Sequence, residues 1–241
     1  MASILRDWVK SPHLRPIAYL ASGSAIAQVI GVVATPIVMR LYEPSDYGVV
    51  ALYGSIVVIV ATVAALRYES AIPLPPETSE GERDAIALVR VSLLAAAVVS
   101  ALVLVTTLVA VASGRFQAIS DMGNWVYAIP LGILVSSWSL TLNAYAIRGR
   151  RYSAIARIAP LQKVASVSLQ IGGGLLRLGK SGLMIAAVAT PLVGLGVLSR
   201  VYRAGRAAAA EPRDDARPRM RKVAIRYRDF PLVSTWFALL N

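Results

Sequence analysis

The sequence predicts an all-α integral membrane protein, a bundle of six transmembrane helices followed by the start of a seventh. Three observations lead there. The 241 residues are 56% hydrophobic and only 16% charged, with mean hydropathy +0.62, whereas ordinary soluble domains sit near 45–50% apolar and about 25% charged. The apolar residues fall into long runs of 19 to 25, the length a helix needs to cross about 30 Å of hydrocarbon. The net charge is nevertheless +12, and the cations lie between the runs with a strong bias to alternate segments.

The spans follow in order. Residues 16–39 hold 24 residues without a charge. The flank before them mixes Arg6, Asp7, Lys10 and Arg15, and no small-residue cleavage site follows, which disfavours a signal peptide. The turn Leu41–Tyr47 carries Pro44, and Ser45 or Asp46 is placed to cap the second span, 47–66. A polar loop at 75–84 and a short amphipathic run at 85–90 precede the third span, 91–112. The fourth, 123–147, begins beyond a loop at 114–121. The fifth, 158–176, is interrupted by Lys163, and the sixth is 181–199. Residues 1–203 thus form one six-helix unit. A basic linker occupies 204–228, and 229–241 read as the truncated start of a seventh helix.

The cations set an orientation. With the N-terminus in the cytoplasm, 20 Lys and Arg fall in inside segments and 4 in outside segments, with Lys163 inside a span. That is the positive-inside pattern of a plasma-membrane protein. Topology therefore accounts for the charge, and a nucleic-acid partner is not expected. Trp125 and Tyr127 fall at the outer boundary and Tyr19, Tyr145, Tyr152 and Tyr202 at the inner one, as an aromatic belt would place them.

Polar residues inside the spans are ordered. Ser24, Gln28, Gly31 and Thr35 recur at helical spacing in the first span, beside a small-residue ridge of Gly23, Ala27 and Gly31 suited to close helix contact. Ser136, Ser139 and Asn143 share a face of the fourth. Lys163, Ser166, Gln170, Gly173 and Arg177 run as one stripe along the fifth, which cannot face lipid. A mid-span Lys costs about 2.5–3.5 kcal/mol on insertion scales. Lys163 therefore either snorkels to the inner boundary or supplies a cation to a water-filled cavity. The Ser, Gln and Asn residues serve either interhelical hydrogen bonds or that cavity. Gly172–Gly174 is either a packing notch or a flexible point. Pro36, Pro130, Pro160 and Pro191 can each kink a span. Arg67 and Glu69 mark either the interface at the end of the second span or the inner mouth of a cavity. The candidate cavity residues are Lys163, Gln170, Ser166, Gln28, Asn143, Arg67, Glu69 and Arg177.

The chemistry available is narrow. There is no cysteine, so no disulfide or thiolate site, and one histidine, His13, so no histidine cluster or histidine-based triad. No catalytic residue, metal or cofactor is expected.

Three segments carry a resemblance. Arg40–Gly48 (RLYEPSDYG) resembles the R-L-Y-x-P-x-D-[YF]-G turn between the first two helices of bacterial polysaccharide (O-antigen, Wzx-like) flippases. Leu66–Ile72 (LRYESAI) resembles the L-R-Y-E-x-A-I that follows it, and Arg226–Pro231 (RYRDFP) resembles the Y-x-D-F-P before the seventh helix. The three occur in order at helix boundaries. The resemblance implies the multidrug/oligosaccharidyl-lipid/polysaccharide exporter superfamily, whose members have two six-helix lobes around a cavity open alternately to each side. It also implies transport of undecaprenyl-pyrophosphate-linked oligosaccharide across the bacterial inner membrane. This chain is similar to the N-terminal half and departs from the family in length. The expected partners are a lipid-linked oligosaccharide, membrane lipids, and the missing C-terminal half or a second copy. The lobe alone is expected to be inactive.

Other readings stay open beside it. A multidrug or cation exporter lobe of the same superfamily would want an intramembrane acid, but none of the 13 acids lies mid-span, Glu69 coming nearest at an end. A truncated remnant that inserts without transporting fits the same residues. A membrane enzyme would need acids, bases or metal ligands at the boundary that the sequence does not cluster.

Overall fold

A computed structural model describes residues 15–113, 117–209, 216–228 and 230. Its helices are α1 (Arg15–Met39), α2 (Pro44–Ala64), α3 (Ser79–Ala112), α4 (Ala128–Arg148), α5 (Tyr152–Leu175), α6 (Lys180–Ala208) and α7 (Ala216–Arg226), with 3-10 segments at Tyr68–Ala71 and Gln117–Tyr127. No strand occurs among the described residues. The leader before residue 15, loop residues 114–116 and most of 229–241 lie outside the described residues, as does the middle of the basic linker.

Five helical stretches are long and apolar enough to cross a membrane: 17–39, 44–64, 79–112, 122–148 and 180–208. This is a multi-pass membrane architecture. The stretch expected as the fifth span is α5. Its 24 residues give about 36 Å of helix, but Arg157, Gln162, Lys163, Ser166 and Gln170 hold its hydropathy down.

The largest departure from the sequence reading is α3. It begins at Ser79 rather than near 91, taking in most of the expected loop. Thr78 is the reason: its hydroxyl accepts the Gly81 N–H at 3.1 Å, and Glu80 and Glu82 follow in the positive first turn. The run 85–89 is not amphipathic in place, because Ala85 through Val89 are all fully buried. Likewise α6 continues to Ala208, and part of the linker is helical as α7. In the Leu41–Tyr47 turn the cap is Glu43. Asp46 sits at the third helical position and accepts the Glu43 N–H at 3.4 Å. Pro130 falls in the first turn of α4, where it breaks no ladder, while Pro36, Pro160 and Pro191 lie inside helices.

Glycine contacts give the relative directions. A Cβ on Gly23 would collide with the Ala156 carbonyl, one on Gly31 would lie 2.6 Å from Lys163 Cε, and one on Gly174 2.7 Å from Leu41 Cβ. The contacts advance together, so α1 and α5 run parallel. Gly173 meets Gly182 and Gly194 meets Gln162, so α5 and α6 are antiparallel. Trp125 Nε1 donates to Ser181 Oγ at 3.3 Å, and Gly205 packs on the Tyr145 hydroxyl, so α4 and α6 are parallel. Ser100 Oγ donates to the Pro130 carbonyl and Trp138 Nε1 to the Leu93 carbonyl at 3.2 Å, so α3 opposes α4. Gly132 meets Tyr53 and Ser137 Oγ donates to the Ala61 carbonyl at 3.2 Å, so α2 and α4 are parallel, and together the contacts describe six helices alternating in direction. One end collects the 65–78 segment, the 149–151 turn and the basic residues after 199; it is called the basic end below.

The helices sort into two groups. α1 packs chiefly on α5, and α5 on α6; α2 and α3 pack on α4; α4 and α2 join the groups by packing on α6. Helices α1 and α2 are sequence neighbours that do not pack along their lengths, and α4 and α5 meet only near their hairpin. Exposed apolar residues coat the outside, including Val29, Val32 and Val33 on α1 and Leu94, Val98, Leu102, Val105 and Val109 on α3.

Buried polar contacts fasten the basic end. The Arg148 side chain, 7% exposed, meets Glu82 Oε2 at 3.3 Å and donates to the carbonyls of Pro75 at 2.6 Å and Pro76 at 2.9 Å. Tyr145 donates to Glu82 Oε1 at 2.5 Å and stacks edge-on with Tyr202, centroids 5.4 Å apart. Tyr145 is 5% exposed, so it belongs to this node and not to an interfacial belt.

Gly172 and Gly173 should respond oppositely to alanine. Nothing lies within 4 Å of a Cβ on Gly172, whereas one on Gly173 would sit 2.8 Å from Gly182 Cα and 2.9 Å from the Tyr42 hydroxyl. Gly172→Ala is expected to be neutral or to gain up to about 1 kcal/mol. Gly173→Ala is expected to lose about 1–3 kcal/mol to overpacking against backbone. Thermal unfolding of the two variants in the same detergent, followed by fluorescence, checks the difference in sign.

Candidate functional site

A cavity of about 530 Å³ lies between the two groups of helices, within the volume range of ligand pockets. Leu20 and Ser24 of α1 and Ile155 through Gln162 of α5 form one wall. Val58, Ala61 and Thr62 of α2 and Ser136 through Asn143 of α4 form the other, and α6 closes the back with Pro191, Gly194 and Leu198. On α4, α5 and α6 the lining spans eight residues, about 10 Å of helix. All of it falls in the half of the bundle nearer the basic end.

The lining is apolar apart from neutral hydrogen-bonding groups. Ser24, Ser136, Ser139, Asn143 and Gln162 make no side-chain hydrogen bond to a described residue, and Ser139 Oγ is buried without a partner. Most other helix hydroxyls are met within their own helix, Thr62 of the lining among them, although Ser92 Oγ on α3 is also buried without a partner among the described residues. Ser55, Thr62, Thr107, Ser137, Thr141 and Thr190 all donate to a carbonyl four residues back. An unmet polar group in an apolar setting costs about 1–3 kcal/mol, so five facing one space form a surface ready to bind hydroxyl or carbonyl groups. No charged residue lines it among the described residues.

The opposite end of the bundle is shut by close packing. The Tyr42 hydroxyl donates to the Gln170 carbonyl at 2.6 Å and lies against Gly173 and Gly182. Leu41 fills the notch at Gly174, and Gly132 admits the Tyr53 ring. Gly172–Gly174 thus includes a packing notch formed by its last two glycines.

Of the eight residues singled out from sequence, Asn143 lines the cavity and the other seven do not. Within the α5 stripe Lys163 turns instead toward α1, and Gly173 toward α6. Lys163 lies over Gly31, half-buried, with no hydrogen bond or ion pair among the described residues. Gln170 Nε2 donates to Ser166 Oγ at 3.2 Å, so these two satisfy one another. Gln28 is exposed on α1. Arg177 is exposed in the α5–α6 turn with φ +53. The residue missed is Gln162. It adjoins Lys163 but points about 100° away around the helix, on the face of Ile155, Ile158 and Ala159. The i, i+3, i+4, i+7 spacing of that face signalled it. Of the α1 stripe read from spacing only Ser24 faces the space, where it joins all three of Ser136, Ser139 and Asn143.

Arg67 and Glu69 sit where α2 ends at the basic end. Leu66 and Arg67 are consecutive non-glycine residues with φ +51 and +58, an uncommon and strained pair. Arg67 Nη1 is 3.7 Å from Glu69 Oε1. Glu69 is 8% exposed, and its Oε2 has no hydrogen-bond partner among the described residues. Burial pushes its carboxyl above the usual range, partly countered by a backbone hydrogen bond and Arg67.

No protein-family model matches the chain, and no curated protein or solved structure is significantly similar to it.

Glu69 should make the fold more stable in acid. Its folded pKa is raised, so its protonated form favours the native state; that contribution is complete below the ordinary carboxylate range and fades as pH rises through the raised value. Glu69→Gln is expected to raise stability by about 1 kcal/mol above that value and to flatten the gain on acidification. Melting temperatures of both proteins between neutral and mildly acidic pH test this.

Proposed function

We propose that the chain is a six-span lobe of a membrane transporter of the polysaccharide flippase type. The observation that carries this is the cavity with five neutral polar side chains that have no side-chain hydrogen bond among the described residues, in an otherwise apolar wall. Such a lining suits an amphipathic solute that brings both hydrocarbon and hydroxyl groups, as a lipid-linked saccharide does. The three motif resemblances at helix ends point to the same class.

On this reading α5 crosses the membrane as well, which brings the spans to six, with α1 and α6 packed on two of its sides and Val164 on the exterior. The basic end faces the cytoplasm of a bacterial inner membrane, by the distribution of cations. The cavity then opens inward while the packing at Tyr42, Gly173 and Gly182 closes the outer side, the geometry of one state of alternating access. The undecaprenyl-pyrophosphate-linked oligosaccharide enters with its saccharide against Ser24, Asn143 and Gln162. Its pyrophosphate stays at the mouth among the arginines, because no cation lines the interior. A second six-helix bundle, on the same chain or another copy, completes the path between α1 and α2, where the lobe leaves its helices unpacked.

Because the chain has no native cysteine, single cysteines report on the cavity directly. Asn143→Cys, half-buried in the lining, should react with a polar maleimide applied from the basic side. An undecaprenyl-pyrophosphate-linked saccharide should slow that reaction about tenfold at a concentration about ten times its Kd. Ser55→Cys, exposed on α2 outside the lining, should not change. Equal rates at Asn143→Cys with and without ligand would contradict the assignment.

A further inference from the structure

We propose that the outward face of α7 binds anionic phospholipid headgroups of the bilayer that the bundle occupies. This is independent of what the cavity carries.

Residues 216–228 contain six cations and no acid. The helix is not a loose basic tail, because one face is docked. Val223 is 1% exposed in the core beside Ala85–Val89, and Met220 and Tyr227 pack against the same cluster. Arg219 Nη1 meets Asp84 Oδ1 at 3.1 Å, and the Tyr68 hydroxyl donates to the Ala224 carbonyl at 3.3 Å. These contacts fix how the helix is rotated. At 100° per residue the direction opposite Val223 and Met220 is that of Ile225, flanked by Arg221, Lys222 and Arg228. All four are exposed, Ile225 to 56%.

Among the described residues the neighbouring acids share a groove with Lys222 of that face but not with Arg221 or Arg228. Glu80 and Asp84 lie in the groove between α7 and α3 with Arg219, Lys222 and Arg226. Arg226 also sits 5.9 Å over the Tyr227 ring. Arg221 and Arg228 lie outside that groove. An exposed isoleucine ringed by cations on a rigidly held helix has the pattern of an interfacial surface contact.

The level of the helix fits. Along α3 the exposed apolar stripe begins at Leu94, ten residues or about 15 Å from Asp84. The headgroup layer accounts for about 5–8 Å of that. A helix about 10–12 Å across covers about another 5 Å, leaving a gap of a few ångströms for arginine and lysine side chains. Anionic headgroups are the matching chemistry at that depth.

The full chain carrying Ile225→Cys as its sole cysteine, spin-labelled, tests this in nanodiscs. One set contains phosphatidylcholine alone, and the other about 30 mol% phosphatidylglycerol. At about 50 mM salt, label accessibility to a water-soluble relaxation agent should fall about threefold or more in the anionic discs, and recover at about 500 mM salt. The fall should vanish in Arg221→Gln/Lys222→Gln/Arg228→Gln. Those positions are exposed, and Ser199→Cys labelled in the same background reports whether the bundle is intact. Equal accessibility in the two lipids at low salt would overturn the proposal. So would protection in neutral discs by soluble RNA or polyglutamate with none from phosphatidylglycerol, which would assign the face to a polyanion in solution.

Discussion

The structure turns on one constraint: α5 carries too many polar groups for its stripe to face lipid, so other helices must cover it. Small residues make the cover possible. Gly23 and Gly31 let α1 settle onto the α5 backbone and onto the Lys163 stem, and Gly173 and Gly182 bring α6 to backbone contact on another side. Without a hydrophobic drive between helices in a bilayer, contacts this close supply the attraction. Once α1 is committed to α5, it is unavailable to α2. The space between the two groups of helices follows from that commitment, and it is where the unpartnered polar side chains collect.

A second fastening gives that space its shape. Arg148 reaches four carbonyls of the 72–76 segment and Glu82, joining α4, α3 and the strained turn after α2. Its planar fork of donors suits several acceptors at once, which a lysine could not match. The α2–α4 wall is thereby held at the basic end, and the Tyr42 contact with Gln170 and the glycines holds the α5–α6 hairpin at the other. Opening the shut end would require separating that glycine packing, while the Arg148 node could move with its wall as a unit.

Most helices were legible because 20-residue apolar runs have few other uses. The early start of α3 was hidden because 75–84 reads as polar coil. Its helical character comes from the Thr78 cap and from Gly81 packing on the Pro76 carbonyl, which are local chemistry and tertiary contact rather than periodicity. The site was half legible. The spacing of Ser136, Ser139 and Asn143 identified one wall, but α5 carries polar residues on two adjacent faces, and the costlier Lys163 drew attention from Gln162. Cost marks a residue that needs explanation. Here Lys163 rests its stem on a glycine of α1, beside a cavity face that a plain amide occupies. Arg148 read as one loop cation among many, since nothing in the sequence shows that four carbonyls will converge on it.

The central claim is that α5 crosses the bundle from end to end while presenting one face to a cavity open on the basic side. Single-cysteine labelling along α5 in sealed vesicles of known orientation tests it most directly. The account predicts that Ser153→Cys and Gln162→Cys react with a membrane-impermeant maleimide from the basic side only. Leu178→Cys should react from the opposite side only, and Val164→Cys, exposed on the apolar exterior, from neither. Reaction of Ser153→Cys and Leu178→Cys from the same side, or no reaction at Gln162→Cys from the basic side, would contradict it.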